Sequence, residues 1–121
     1  MNIALYSLIV ILICHWIGDF VFQWDELALK KGVSMAWLGI HVLIYGAVIS
    51  LASLLVLPAR TAFAFGMVNM ALHFVTDLGT SRLARKYKDV PRKFFLIIGF
   101  DQMVHTITLI ITLNSFYIYP T

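Results

Sequence analysis

Four histidines and three aspartates stand inside stretches that are otherwise apolar, and they repeat one spacing. His15 and Asp19 are four residues apart, as are His73 and Asp77; Asp101 and His105 repeat the interval in reverse order, and His41 stands alone. On a helix, residues four apart share a face. Imidazole and carboxylate together suit zinc, manganese or iron better than magnesium or calcium. Seven donors exceed the four of a structural zinc site, so the expected cofactor is one divalent ion with a shell of supporting partners, or two ions close together. The expected ligands are His15, Asp19, His41, His73, Asp77, Asp101 and His105. Asp19, Asp77 and Asp101 are also the candidate catalytic residues, one of them as a general base. Gln23 and Gln102 border the set as outer partners. No Ser, Cys or Thr stands beside an obvious base, which favours direct attack by water.

The elements that must position these groups are membrane helices. Of the 121 residues, 61% are hydrophobic and 12% are charged. A soluble domain is nearer half apolar and a quarter charged. Four apolar segments, about 3–23, 35–57, 61–80 and 94–119, are each long enough to span a bilayer. The runs are continuous rather than alternating, which argues for helices, and a helix satisfies its own backbone in lipid. The expectation is an all-α, polytopic four-helix transmembrane bundle forming one domain over 1–121. The N-terminus lacks a basic stretch and a small-residue cleavage site, so the first segment is expected to remain a span. Cys14, the only cysteine, excludes an internal disulfide and reads as a packing residue.

Orientation follows from the basic residues. Lys30 and Lys31 lie between the first two segments; Arg82, Arg85, Lys86, Lys88, Arg92 and Lys93 lie between the last two; Arg60 is alone in the middle turn. This predicts both termini outside and the first and third connections in the cytoplasm. The reversed order at Asp101 and His105 then makes sense, because the fourth helix runs opposite to the first and third. All three pairs place Asp nearer the cytoplasm. His41, about six residues into its helix, lies about 9 Å deep, close to the others. A single His–Asp couple can serve only to lock helix packing. Seven such residues at matched depth, with no Lys or Arg in the bundle to offset three carboxylates, point to a bound cation. The basic third connection reads as a topology determinant that touches anionic headgroups. Nucleic acid is not an expected partner, since no aromatic platform or recognised fold accompanies the charge.

The motifs His15-x-x-Gly18-Asp19-Phe20-x-x-Gln23, His41, His73-x-x-x-Asp77 and Asp101-Gln102-x-x-His105 resemble those of the small bacterial and phage membrane proteins of domain-of-unknown-function family 3307. The resemblance covers nearly the whole chain. It is similar in style to small bacterial inner-membrane proteins labelled metal-dependent hydrolases, and it implies a multi-pass protein of the bacterial inner (cytoplasmic) membrane. The leading expectation is a metal-dependent hydrolase whose partners are the bilayer and an amphiphilic substrate, a lipid or lipid-linked phosphate reached from the inner leaflet. The alternatives are a metal-ion or proton transport protein, and a non-catalytic membrane interaction protein stapled by metal. A homo-oligomer is compatible with a bundle of this size, although no interface is legible.

Overall fold

The computed structural model describes residues 2–119. Helix α1 covers Ile3–Trp16 and starts at Asn2, whose side-chain oxygen accepts a hydrogen bond from the Ala4 amide at 2.9 Å. It runs without a break into a π-helical turn over Ile17–Val21, where the Phe22 amide reaches back five residues to the Ile17 carbonyl. A short helix, α2, covers Asp25–Lys30. Helix α3 covers Met35–Ser53 behind the cap residue Ser34. Helix α4 covers Ala59–Lys86 and follows Pro58; α5 covers Pro91–Ile118, with Pro91 in the first turn, where its missing N–H costs nothing. The described residues contain no strand. Four helices are long and apolar enough to cross a membrane: Ile3–Val21, Met35–Ser53, Ala59–Lys86 and Pro91–Ile118.

Several boundaries differ from the expected ones: α4 already starts at Ala59, so Arg60 lies in its first turn and not in the connection, and two larger differences have local reasons. The polypeptide stays helical past Thr80 to Lys86 because Arg, Leu, Ala and Lys are strong helix formers, and cations near a helix C-terminus oppose its negative pole. Arg82, Arg85 and Lys86 are therefore helical residues; α5 starts at Pro91, so Arg92 and Lys93 are helical as well, and the last connection shrinks to 87–90. Helix α3 ends at Ser53, earlier than expected, and residues 54–57 close as tight turns, with the Leu57 amide bonded to the Ser53 carbonyl at 2.8 Å, ahead of Pro58.

The four long helices form a closed ring. Helices α1 and α4 each pack against both α3 and α5, and α2 lies on α3. Successive long helices run in opposite directions. One end of the bundle thus carries α2 and the 87–90 connection, and is called here the basic end. The other, the tail end, carries the start of α1, the end of α5 and the 54–58 turn; there Tyr117 donates its hydroxyl proton to Ser7.

Apolar packing fills the tail half, where Ile11, Tyr45, Ile49, Phe65, Leu109 and Leu113 form one buried cluster. Helices α3 and α4 touch closely at Gly66, where an added Cβ would stand 2.8 Å from the Ser50 Cα, so only glycine fits the crossing. Outside, Leu43, Leu51, Phe63, Val75, Leu96 and Ile111 are exposed. Such a surface is costly in water and matches lipid. Trp24 and Trp37 meet edge to face at the basic end, and Tyr119 is exposed at the tail end, the aromatic placement of a spanning bundle.

Candidate metal centre

Helices α3 and α4 and the π-helical turn bring four donor atoms to one point in the basic half. His41 Nε2 lies 3.1 Å from Asp19 Oδ1, 3.2 Å from Asp77 Oδ2 and 3.0 Å from His73 Nε2. His73 Nε2 lies 3.5 Å from Asp19 Oδ1 and 3.7 Å from Asp77 Oδ2. A cation held about 2.0 Å from four tetrahedral N or O donors separates them by about 3.3 Å. The observed edges, 3.0 to 3.7 Å, bracket that length. All four residues are buried. Asp19, His41, His73 and Asp77 therefore fit a divalent ion by donor chemistry and by spacing.

A second donor group, Asp19, Asp101 and His105, adjoins the first and shares Asp19 with it. His105 Nε2 lies 3.3 Å from both Asp77 Oδ1 and Asp101 Oδ1, and so links the two groups. Thr80 donates its hydroxyl proton to Asp101.

The expected ligands divide at this point. Six of them supply the two groups, whereas His15 reaches the acids only through Gln102, two hydrogen bonds away. Its Nε2 is 3.0 Å from Gln102 Oε1 and its Nδ1 is 3.1 Å from the Tyr45 hydroxyl. Gln102 donates its amide protons to Asp19 Oδ2 at 2.8 Å and to Asp101 Oδ2 at 3.0 Å. Two carboxylates demand the NH₂ side of that amide, so Gln102 Oε1 must accept from His15 Nε2–H. In the neutral ring Nδ1 then accepts from Tyr45. One chain of hydrogen bonds thus orients both acids. Asp19 lies in the π-helical turn and meets His41 on α3, His73 on α4 and Gln102 on α5, whereas His15, in the last turn of α1, meets Tyr45 on α3 and Gln102 on α5.

The rings of His41 and His73 depart from the usual ligand pattern, in which the second ring nitrogen is hydrogen-bonded. Both Nδ1 atoms are buried without a hydrogen-bond partner. Ring stacking orients His73 instead: Tyr45 lies 3.8 Å away at 11° and His105 lies 4.2 Å away at 27°.

Lys31 corrects the expectation of a bundle without an internal basic residue. Its Nζ lies 2.9 Å from Asp77 Oδ2 and 3.3 Å from His41 Nε2. Two features direct it inward. Lys30 pairs with Glu26 one turn earlier on α2, which commits Lys30 to the surface. Gly32 packs so closely on α4 that an added Cβ would stand 2.9 Å from the Ser81 carbonyl oxygen. The Glu26–Lys30 interval is the one sequence signal that separates the two lysines.

A cavity of about 510 Å³ leads from the basic end to the acids. Asp19, Asp77, Asp101 and Gln102 line its inner part, Phe20, Leu29, Phe94 and Ile98 its apolar walls, and Lys31, Arg85 and Lys88 add positive charge. Gln23 also lines it, with Oε1 buried and without a hydrogen-bond partner. His41 and His73 do not line it, so the carboxylate side of the four-donor group faces the cavity.

No curated protein and no solved structure matches the chain. The family described as "Protein of unknown function (DUF3307)" matches residues 7–120, nearly the whole sequence and every residue of both donor groups, and the chain belongs to that family.

Proposed function

We propose that the protein binds one divalent ion through Asp19, His41, His73 and Asp77, and uses it to hydrolyse an amphiphilic substrate, a lipid or lipid-linked ester. The observation that carries this reading is the buried four-donor group, whose acids face an accessible cavity. Charge supports one ion as the resident number. With the histidines neutral, Asp19, Asp77 and Asp101 are opposed only by Lys31, which leaves two negative charges for a divalent ion to balance. The basic end faces the cytoplasm by the positive-inside rule, in the inner membrane of a bacterium.

A bound divalent ion supplies Lewis acidity and a water of lowered pKa. The residues of the chain do the rest. Asp101, held by Thr80 and Gln102 in the cavity, takes the proton of the attacking water. His105 bridges Asp101 and Asp77 and keeps their oxygens apart. Lys31 pairs with Asp77 and offsets one of the carboxylate charges, and the apolar walls exclude bulk water.

Elemental analysis of untagged protein, purified without chelator or added metal, tests the ion: about one per chain is expected, with loss in His73→Ala and Asp77→Asn. Release of product from lipid esters should stop with chelator and resume on metal addition. Correctly folded protein that takes up no ion when divalent metal is supplied would overturn the reading. The four-donor count itself favours a second reading, since closed four-ligand sites are usually structural. A chelator-stripped protein that unfolds, from a metal-loaded form that hydrolyses nothing, would establish that staple. Transport lacks comparable support, because the packed cluster around Ile49, Phe65 and Leu109 closes the route to the tail end.

A further inference from the structure

We infer that the cavity is a subsite for the phosphate monoester of an amphiphile, with Arg85 and Lys88 holding the phosphate. This deepens the hydrolase reading and rests on it for the fate of the ligand; binding itself is independently measurable.

The basic residues of this end are not one solvated patch. Arg82 reaches the Met35 sulfur at 3.3 Å. Lys86 and Lys93 lie over the Tyr87 ring, at 5.5 and 4.6 Å from its centre. Lys30 pairs with Glu26 and lies 4.9 Å from the centre of the Trp37 ring. Arg85, Lys88 and Lys31 instead line the cavity. Lys31 is engaged by Asp77, which leaves two cations for a ligand.

Arg85 and Lys88 are three residues apart in the last turn of α4 and its continuation, so they share a face. Arg85 spends one guanidinium N–H on the Leu29 carbonyl at 3.4 Å, which ties α2 to α4 and aims the group. Two cations match the charge of a phosphate monoester, about −1.5 to −2 near neutral pH, better than the single charge of a diester. A volume of about 510 Å³ admits a headgroup and the first carbons of a chain, and Phe20, Leu29, Phe94 and Ile98 supply an apolar wall for those carbons. The acids deeper in the cavity repel an anion, which makes the outer position between Arg85 and Lys88 the favourable one. Phosphate monoesters also occur free in water; the apolar wall favours the lipid source.

Native mass spectrometry of the full chain, released from phosphatidylcholine nanodiscs doped with phosphatidic acid or phosphatidylglycerol, tests this. One phosphatidic acid is expected to bind with about tenfold preference over phosphatidylglycerol, the scale of one extra charge-assisted contact. The pair Arg85→Gln with Lys88→Gln should lose about tenfold in that binding. The pair Lys86→Gln with Lys93→Gln, identical in charge change, should keep it. Equal effects of the two pairs, or equal binding of the two lipids, would overturn the subsite. Competition by glycerol 3-phosphate at equal concentration would support the phosphate position and assign its source to water; failure to compete would support the membrane. Ion content measured on the same samples separates the two proposals. Selectivity without an ion would sink the hydrolase reading alone, and an ion without selectivity would sink the subsite alone.

Discussion

Phe65 and Asp77 lie twelve residues apart on α4, both buried, and the helix around them answers to different constraints. Around Phe65 the bundle is filled by aliphatic and aromatic side chains and by a glycine crossing that admits no Cβ. Polar groups there settle among themselves: Asn69 and Thr112 exchange hydrogen bonds at 3.0 and 3.1 Å across α4 and α5. Around Asp77 the same helices give up apolar packing for a buried cluster of acids and imidazoles. The tail half is closed by apolar packing, whereas the basic half gathers buried donors that could hold a cation. The comparison teaches that the price of burying three carboxylates is confined to one half, where the tight packing of the other keeps the helices in place.

The largest effect should come from Asp77. Asp77→Asn removes a direct donor, and is expected to lower ion affinity by more than the about 10–100-fold that loss of an outer partner causes. A competition titration with a chromophoric chelator reads this. Retention of affinity within about tenfold would erase the distinction between the halves. On the other side of the comparison, Phe65→Ala should cost about 3–5 kcal/mol of stability in detergent unfolding, through lost contacts and a cavity, with ion content unchanged. Ion loss in that variant at a temperature where it remains folded would show that the halves are not separable.

Gln102→Ala sharpens the contrast inside the basic half. It takes two hydrogen bonds from Asp19 and Asp101 without removing a donor, so affinity should fall by about 10–100-fold, or about 1.4–2.7 kcal/mol. An effect as large as that of Asp77→Asn would promote Gln102 to a direct role. The smallest change is Asn69→Ala, expected to cost about 0.6 kcal/mol and at most about 1.7, as for other hydrogen bonds between membrane helices. Its ion titration should match that of the unaltered protein.

The helices were legible because their signal is local. Continuous apolar runs of spanning length need no tertiary information, and the recurrence at His73 and Asp77 or at Asp101 and His105 follows from helical spacing alone. Matched depth was legible as well, since helix rise and alternating direction are regular. Residue types and depth thus named the acids and imidazoles that meet.

How they meet was decided by irregular pieces. Asp19 lies in the π-helical turn at Ile17–Val21 and joins the donor groups, while His15, one turn earlier on α1, bonds Gln102 instead. Lys31 entered the site through α2 and the close seat of Gly32 on α4, neither of which an apolar count records. The sorting of Arg85 and Lys88 from Lys86 and Lys93 likewise depends on how α4 faces its neighbours. Composition and period determined the span, the depth and the chemistry of the donors, because each is a property of one helix. Which donors share a point, and which cation opposes them, became definite only when separate helices packed, because those are distances between segments that the sequence holds far apart.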